Sequence, residues 1–231
     1  MKVDIGVIGA MRPEVEGLIA KLEEPRCERV SGIDFYLGRI YSKQVVIAGC
    51  GVGKVFAAIC AEAMIIKYSP SLIVNTGVAG AVADGLSTAD VVVASSLLQH
   101  DMDTSPIGDP RGLISGINKI YFDADARARD ILLRAANSLN LNARVGIIAT
   151  GDKFVAAEAD KRKIAEEFSA VACEMEGGAV AHVAYVNSTP FAVVRAISDS
   201  ADGNATMDYP AFLPVAANNS AKLTLALIKE Y

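Results

Sequence analysis

The sequence predicts an α/β fold: a single domain over residues 1–231, with a mixed central β-sheet flanked by helices. Three observations carry this. Short, near-continuous apolar runs alternate with segments of helical periodicity, the pattern of strands buried on both faces by the helices between them. Two of the runs, Phe35–Ile40 and Gln44–Ala48, are separated only by Tyr41-Ser-Lys43, which reads as a β-hairpin and makes the sheet mixed. Glycines, small residues and acids gather where the strands end, and open α/β sheets hold ligands there.

In chain order, Val3–Ile8 is a buried strand ending at Gly9-Ala-Met11. Pro13 suits the first turn of a helix whose apolar positions are Val15, Leu18, Ile19 and Leu22. After the hairpin, Gly49-Cys-Gly-Val-Gly-Lys54 leads into a helix running to about Tyr68. Leu72–Asn75 is a short strand entering Thr76-Gly-Val-Ala-Gly-Ala81, and Asp90–Ala94 is another. Leu97–Gly116 is polar, with little periodicity. Ala124–Asn140 is a helix with Ile131, Leu132, Ala135 and Leu139 inward, Ala143–Ala149 a strand, Glu158–Phe168 a helix and Ala170–Cys173 a strand. From Gly177 a small-residue helix follows, with Ala179, Val180, Val183 and Val186 spaced for one buried face. Phe191–Ile197 is the last strand and Ala211–Lys229 a C-terminal helix. There is no internal repeat and no low-complexity linker.

Composition bounds the function. Hydrophobic residues make up 52% and charged residues 21% of the 231, enough for a sizeable core and unlike a disordered chain. A net charge of −5 argues against nucleic acid as the main partner. Cys27, Cys50, Cys60 and Cys173 are scattered without paired spacing and read as reduced residues of a cytoplasmic protein. Met1-Lys-Val-Asp-Ile-Gly6 enters a strand pattern directly, unlike a secretory signal. The longest apolar helix candidate, around Val55–Ile66, is too short for a bilayer and carries Glu62. Neither a membrane nor a nucleic acid is expected as a partner.

Several motif readings fail on spacing. After Gly49-Cys-Gly51, the third glycine of a dinucleotide motif would fall at Lys54, and a P-loop would need glycine at Ala48 and Ser or Thr at Val55. These glycines read instead as tight turns presenting backbone amides to a small ligand. No Gly-x-Ser-x-Gly elbow occurs, and two histidines are few for a serine triad. His100-Asp-Met-Asp103 reads as a turn or hydrogen-bond cluster rather than a metal site, and His182 as a buried or half-buried helix residue.

What remains is a set of acids at strand ends: Glu14, Glu174, Glu176 and Asp199, with Arg195 and Phe154 near them in the pattern. Glu174 and Glu176 bracket Met175 where a buried strand gives way to a helix, and a carboxylate there needs a partner. Cleavage of a glycosidic bond most needs such a set, because the sugar turns cationic while the leaving group takes a proton. Structural acids that cap helices and turns fit the same spacing.

Ile8-Gly-Ala-Met-Arg-Pro-Glu-Val15, Gly51-Val-Gly-Lys54, Asn75-Thr-Gly-Val-Ala-Gly80, His100-Asp-Met-Asp103, Gly151-Asp-Lys-Phe154, Glu174-Met-Glu176 and Val194-Arg-Ala-Ile-Ser-Asp199 together resemble the 5′-methylthioadenosine/S-adenosylhomocysteine nucleosidases of the purine nucleoside phosphorylase superfamily. The resemblance runs in order over nearly the whole chain. It implies hydrolysis of adenine nucleosides with 5′-thio substituents, a homodimer, and no metal or organic cofactor. By the same resemblance, Glu14 activates the water and Asp199 is the acid at adenine N7. Glu176 accepts the ribose hydroxyls, Met175 packs on the sugar, Phe154 stacks on adenine and the Val155 backbone meets the base edge. Ala79 and Gly80 line the purine pocket, Arg195 and Ser198 position the catalytic acids, and Tyr209 lies near the 5′ group. Glu174 is expected to be structural.

Three positions depart from the family pattern. Val78 stands where many members have Ser, Arg12-Pro13 replaces an acidic pair, and Ile107 replaces a common aromatic. A phosphate-dependent phosphorylase of the same superfamily, a hydrolase of another adenine nucleoside of the aminodeoxyfutalosine type, and a nucleoside-binding module remain as alternatives. The phosphorylase would draw its phosphate cradle from Arg12, Lys54 and Arg195.

Overall fold

The computed structural model describes residues 2–199 and 205–231, with 205–210 described by backbone only. In chain order the elements are β1 (Ile5–Gly9), α1 (Arg12–Ile19), β2 (Glu23–Val30), β3 (Ile33–Ile40), β4 (Lys43–Gly49), α2 (Lys54–Tyr68), β5 (Leu72–Ala81) and β6 (Val91–Gln99). Then follow β7 (Phe122–Asp123), α3 (Ala126–Ser138), β8 (Ala143–Thr150), α4 (Glu158–Phe168), β9 (Ala170–Glu174), α5 (Gly177–Val186), β10 (Phe191–Asp199) and α6 (Ala205–Glu230).

The sheet is mixed, as the hairpin requires. β1 lies parallel between β4 and β5, while β3 pairs antiparallel with both β4 and β2. Beyond β5 the sheet closes on itself. β5 pairs with β9 and β10, β9 with β8, β8 with β6, and β6 back with β10. This ring brings the ends of β5, β9 and β10 together. One apolar core lies between the sheet and α2 and α5; a second packs α1, α3 and α6 on the other face.

Local chemistry sets the helix ends. Asp125 accepts the backbone N–H of Ala128 at 2.8 Å and so caps α3, and Ser69 ends α2 in the left-handed region at φ 44°.

The structure corrects the sequence expectations at several places. β2 has no apolar alternation because it is a charged, exposed edge strand, and Pro25 falls in the register irregularity between Glu23 and Arg26. β5 and β6 continue to Ala81 and Gln99, since the glycine and serine that interrupt their apolar runs are still paired. Leu139, expected inward, is 41% exposed beyond the end of α3, and Val186 is 53% exposed. The buried face of α5 is made instead by Gly177, Gly178, Ala179, Val180, Ala181 and Ala184, which let the helix lie close on β6 and β8. A Cβ on Gly178 would stand 2.9 Å from the Leu98 carbonyl. The longest apolar helix is α6, not α2: Ala211–Glu230 is long and apolar enough to cross a bilayer by length and composition. It serves as a core helix, with Ala216, Ala217, Leu223, Leu227 and Ile228 buried against β5, β10, α1 and α3.

Candidate active site

Glu14 sits in the first turn of α1, just past the end of β1, and is 3% exposed. Its Oε2 accepts the backbone N–H groups of Ala10 and Met11, both at 2.8 Å, and its Oε1 accepts that of Val78 at 3.1 Å. Burial raises its pKa above the ordinary carboxylate value; Arg195 and the three N–H groups offset this only in part. Gly77 allows the approach, because a Cβ there would run into both the Glu14 carboxylate and the Arg195 guanidinium.

The two acids around Met175 part company. Glu174, at the end of β9, is satisfied entirely within the protein: it accepts the Thr150 hydroxyl, the Arg195 guanidinium, and the backbone N–H groups of Glu176 (3.1 Å) and Gly177 (2.7 Å). These partners all lie inside the protein, in keeping with the structural role expected of it. Arg195, 1% exposed, also donates to Asn75 Oδ1 at 2.5 Å, and Asn75 donates to the Ile8 carbonyl at 2.8 Å. That chain ties β1, β5, β9 and β10 together under the acids.

Glu176 is the N-cap residue of α5, and its Oε1 accepts the N–H of Gly53, the residue capping α2, at 2.8 Å. Its Oε2 lies 3.9 Å from Arg195 and keeps acceptor capacity. Burial first, and the neighbouring Glu174 second, push its pKa up to about 7 against the pull of Arg195. Burial alone would lower the pKa of Arg195, but Glu174, Glu176 and Glu14 around it hold it above the ordinary value. Three carboxylates share one guanidinium, so charge in the cleft is not fully compensated.

Asp199 ends β10 opposite Gly80 of β5 and is 2% exposed. Its Oδ1 accepts the Ser198 hydroxyl at 3.0 Å and its Oδ2 the Lys161 ammonium at 3.0 Å. A Cβ on Gly80 would stand 2.7 Å from Oδ2, so glycine admits the carboxylate.

These groups converge. Glu14, Glu176, Ser198 and Asp199 line one cleft, closed by Ala79, Gly80, Met175 and Phe154. Phe154 is 46% exposed there, and Val155 lines the adjoining recess with Lys161. A cavity of about 540 Å³ between α1 and β3 shares only Ala10 with this cleft and gathers none of its acids.

One expectation is refined. Arg195 lies beneath the cleft and holds the glutamates; the cation on Asp199 is Lys161. The side chain of Tyr209 lies outside the described residues. Ile107, in the loop expected to reach a partner subunit's 5′ pocket, is 82% exposed and does not line this chain's own cleft. Val78, in place of the hydroxyl residue, still serves Glu14 through its backbone. Sequence reasoning missed Lys161, Asn75 and Thr150. A signal existed for Lys161: its spacing to Ile164 and Phe168 puts it on the buried side of α4.

Acids at the ends of β1, β9 and β10 around one cleft, on a sheet of this topology, define the class: the chain belongs to the Phosphorylase superfamily, which it matches over residues 4–229. A 5′-methylthioadenosine/S-adenosylhomocysteine nucleosidase of Shewanella halifaxensis is 36% identical over 228 residues, 98% of this chain and 99% of the relative. Within the superfamily, the chain is a member of that nucleosidase family. The Neisseria meningitidis nucleosidase of that name, in complex with methylthio-immucillin-A, superimposes with a TM-score of 0.95 at 33% identity, covering 99% of both chains. A futalosine hydrolase of Helicobacter pylori superimposes with a TM-score of 0.94 at 32% identity, covering 99% of this chain and 98% of that one.

Proposed function

We infer that this chain hydrolyses the N-glycosidic bond of 5′-methylthioadenosine and S-adenosylhomocysteine, releasing adenine and the thioribose. Glu14 activates the water, Asp199 serves adenine N7 and Glu176 holds the ribose 2′- and 3′-hydroxyls. The observation that carries the reading is the convergence of buried carboxylates on one cleft, Glu14, Glu176 and Asp199 beside the internally satisfied Glu174. Glu14 is clamped at both oxygens and burial raises its pKa, making it a stronger base than an ordinary carboxylate, as suits a water-activating group. Glu176 adds negative charge below the sugar, which favours the cation building there in the transition state. Adenine leaves poorly as an anion, so an acid at N7 lowers the barrier. Phe154 offers the stacking face, and backbone bonds from Val155 would separate a 6-amino from a 6-oxo purine.

The cations argue for water over phosphate. Arg12 is exposed and paired with Glu16 at 3.5 Å, Lys54 is bound to Asp101 at 2.6 Å, and Arg195 is committed to the glutamates. The cradle a phosphorylase needs is not assembled from them. The likeness to the futalosine hydrolase favours one further reading, a related adenine nucleoside as substrate. A homodimer fits the apolar outer face of α2, where Val55, Phe56, Ile59 and Ile66 are exposed beside Tyr185 and Val186 at the end of α5.

The test is release of free adenine from methylthioadenosine, S-adenosylhomocysteine and an aminodeoxyfutalosine-type nucleoside, with and without phosphate. Phosphate-independent adenine release from the two thio-nucleosides is expected. Asp199→Asn should lower turnover by roughly 10²–10⁴-fold in a folded protein. Production of a sugar 1-phosphate, or wild-type turnover by that variant, refutes the reading.

A further inference from the structure

We propose that Lys161 is the positioning residue of the leaving-group acid: its ammonium holds Asp199 aimed into the purine half of the cleft. The inference rests on Asp199 being the group that meets adenine N7. Lys161 comes from α4, an element that contributes nothing else to the acid cluster, and is 1% exposed. Lysine is rarely buried so deeply unless its charge is paired. Its Nζ lies 3.0 Å from Asp199 Oδ2 while the Ser198 hydroxyl lies 3.0 Å from Oδ1, so both oxygens are held and the carboxylate plane is set. Ser198 alone would leave the carboxylate free to turn about its Cβ–Cγ bond.

The sequence of α4 shows that the charge is not needed for packing. Ile164 and Phe168 fill the same buried side with apolar groups, and an apolar residue at 161 would suit that side equally. A buried ion pair adds little net stability over well-packed apolar groups, so the consequence of this one is the orientation of Asp199. Lys161 also forms the wall between the cleft recess and a separate cavity of about 430 Å³, lined with Val82, Asp84, Glu158, Arg162 and Glu166. That second cavity gives a small amine a route to the Lys161 position that does not pass through the nucleoside site.

Lys161→Ala and Lys161→Met test this in the full chain with methylthioadenosine. In both, kcat should fall on the order of 10²-fold, the low end of an acid's contribution, while KM stays within about threefold. Added ethylammonium should restore kcat saturably in Lys161→Ala, whose cavity can admit it. It should do nothing for Lys161→Met, whose stem fills the space, or for Asp199→Asn. Lys161→Met keeps the packing and carries the kcat test alone if the alanine variant does not fold. Unchanged kcat in either folded variant, or a loss in Lys161→Ala that ethylammonium leaves untouched, overturns the proposal. Wild-type turnover by Asp199→Asn would instead refute the acid assignment itself, so the two failures are distinguishable.

Discussion

Replacing Glu176 with Gln separates what this residue does for the fold from what it does for the substrate. Its pKa is lifted from an ordinary 4.5 to about 7, chiefly by burial and then by Glu174 beside it. At ~1.36 kcal/mol per unit, holding it ionised in the folded state costs about 3 kcal/mol. Because the folded value is the higher one, the folded protein keeps a proton that the unfolded chain has lost between about 4.5 and about 7. Stability contributed at this site therefore falls as pH rises through that window, and the loss is complete above it. Gln carries no titrating proton, and its carbonyl can still accept the Gly53 N–H that Oε1 accepts now at 2.8 Å. The variant should match the wild type near pH 4 and exceed it by about 3 kcal/mol at pH 8, roughly 6–12 °C in Tm for a chain this size. Thermal and urea unfolding at both pH values measure the difference. Catalysis should move the other way: hydrogen bonds to a charged group contribute about 1.5–3 kcal/mol, so kcat/KM should drop roughly 10–100-fold for each ribose bond weakened. Parallel stability curves for the two proteins from pH 4 to 8, or a variant less stable at pH 8, would refute the argument that Glu176 is a strained, uncompensated charge.

Glu14→Gln should behave differently, because both Glu14 oxygens already accept backbone N–H groups. The amide must turn an NH₂ toward one of those donors, so the variant should lose about 1–3 kcal/mol of stability as well as roughly 10²–10⁴-fold in kcat, read by urea unfolding and adenine release. Gly77→Ala should separate Glu14 from Arg195, since the added methyl collides with both. A loss of about 1–3 kcal/mol is expected, with turnover falling alongside it. A variant as stable and active as the wild type would show that the Glu14 and Arg195 side chains do not need a glycine at this position.

Much of this architecture was legible because buried strands and amphipathic helices write their own periodicity. The bounds of α4 read from sequence, Glu158–Phe168, are those observed, since its apolar positions recur at helical spacing between polar ones. β2 was invisible for the converse reason: an edge strand exposed to water has no apolar face to show, and Glu23-Glu-Pro-Arg-Cys-Glu-Arg-Val30 is held by backbone pairing to β3 and by surface charge pairs such as Arg29–Asp34. The extent of β5 was hidden because Thr76-Gly-Val-Ala-Gly80 reads as a loop until β9 and β10 are found on either side of it.

At the site, residue types and their place at strand ends gathered Glu14, Glu174, Glu176 and Asp199, because a carboxylate beside a buried strand needs a reason to be there, and the family resemblance implied which of them meet the substrate. Which of them are already satisfied inside the protein needed the fold. Whether Glu174 or Glu176 has acceptor capacity left depends on Thr150, Arg195 and the backbone of α5, and only closure of the sheet brings these together. Likewise, nothing in the order of residues says that the cation on Asp199 comes from α4, 38 positions away, rather than from Arg195 four positions away. Local pattern reports what a segment buries. Which charges meet is a property of the packed whole, since an ion pair is made by distance in space and leaves no period in the chain.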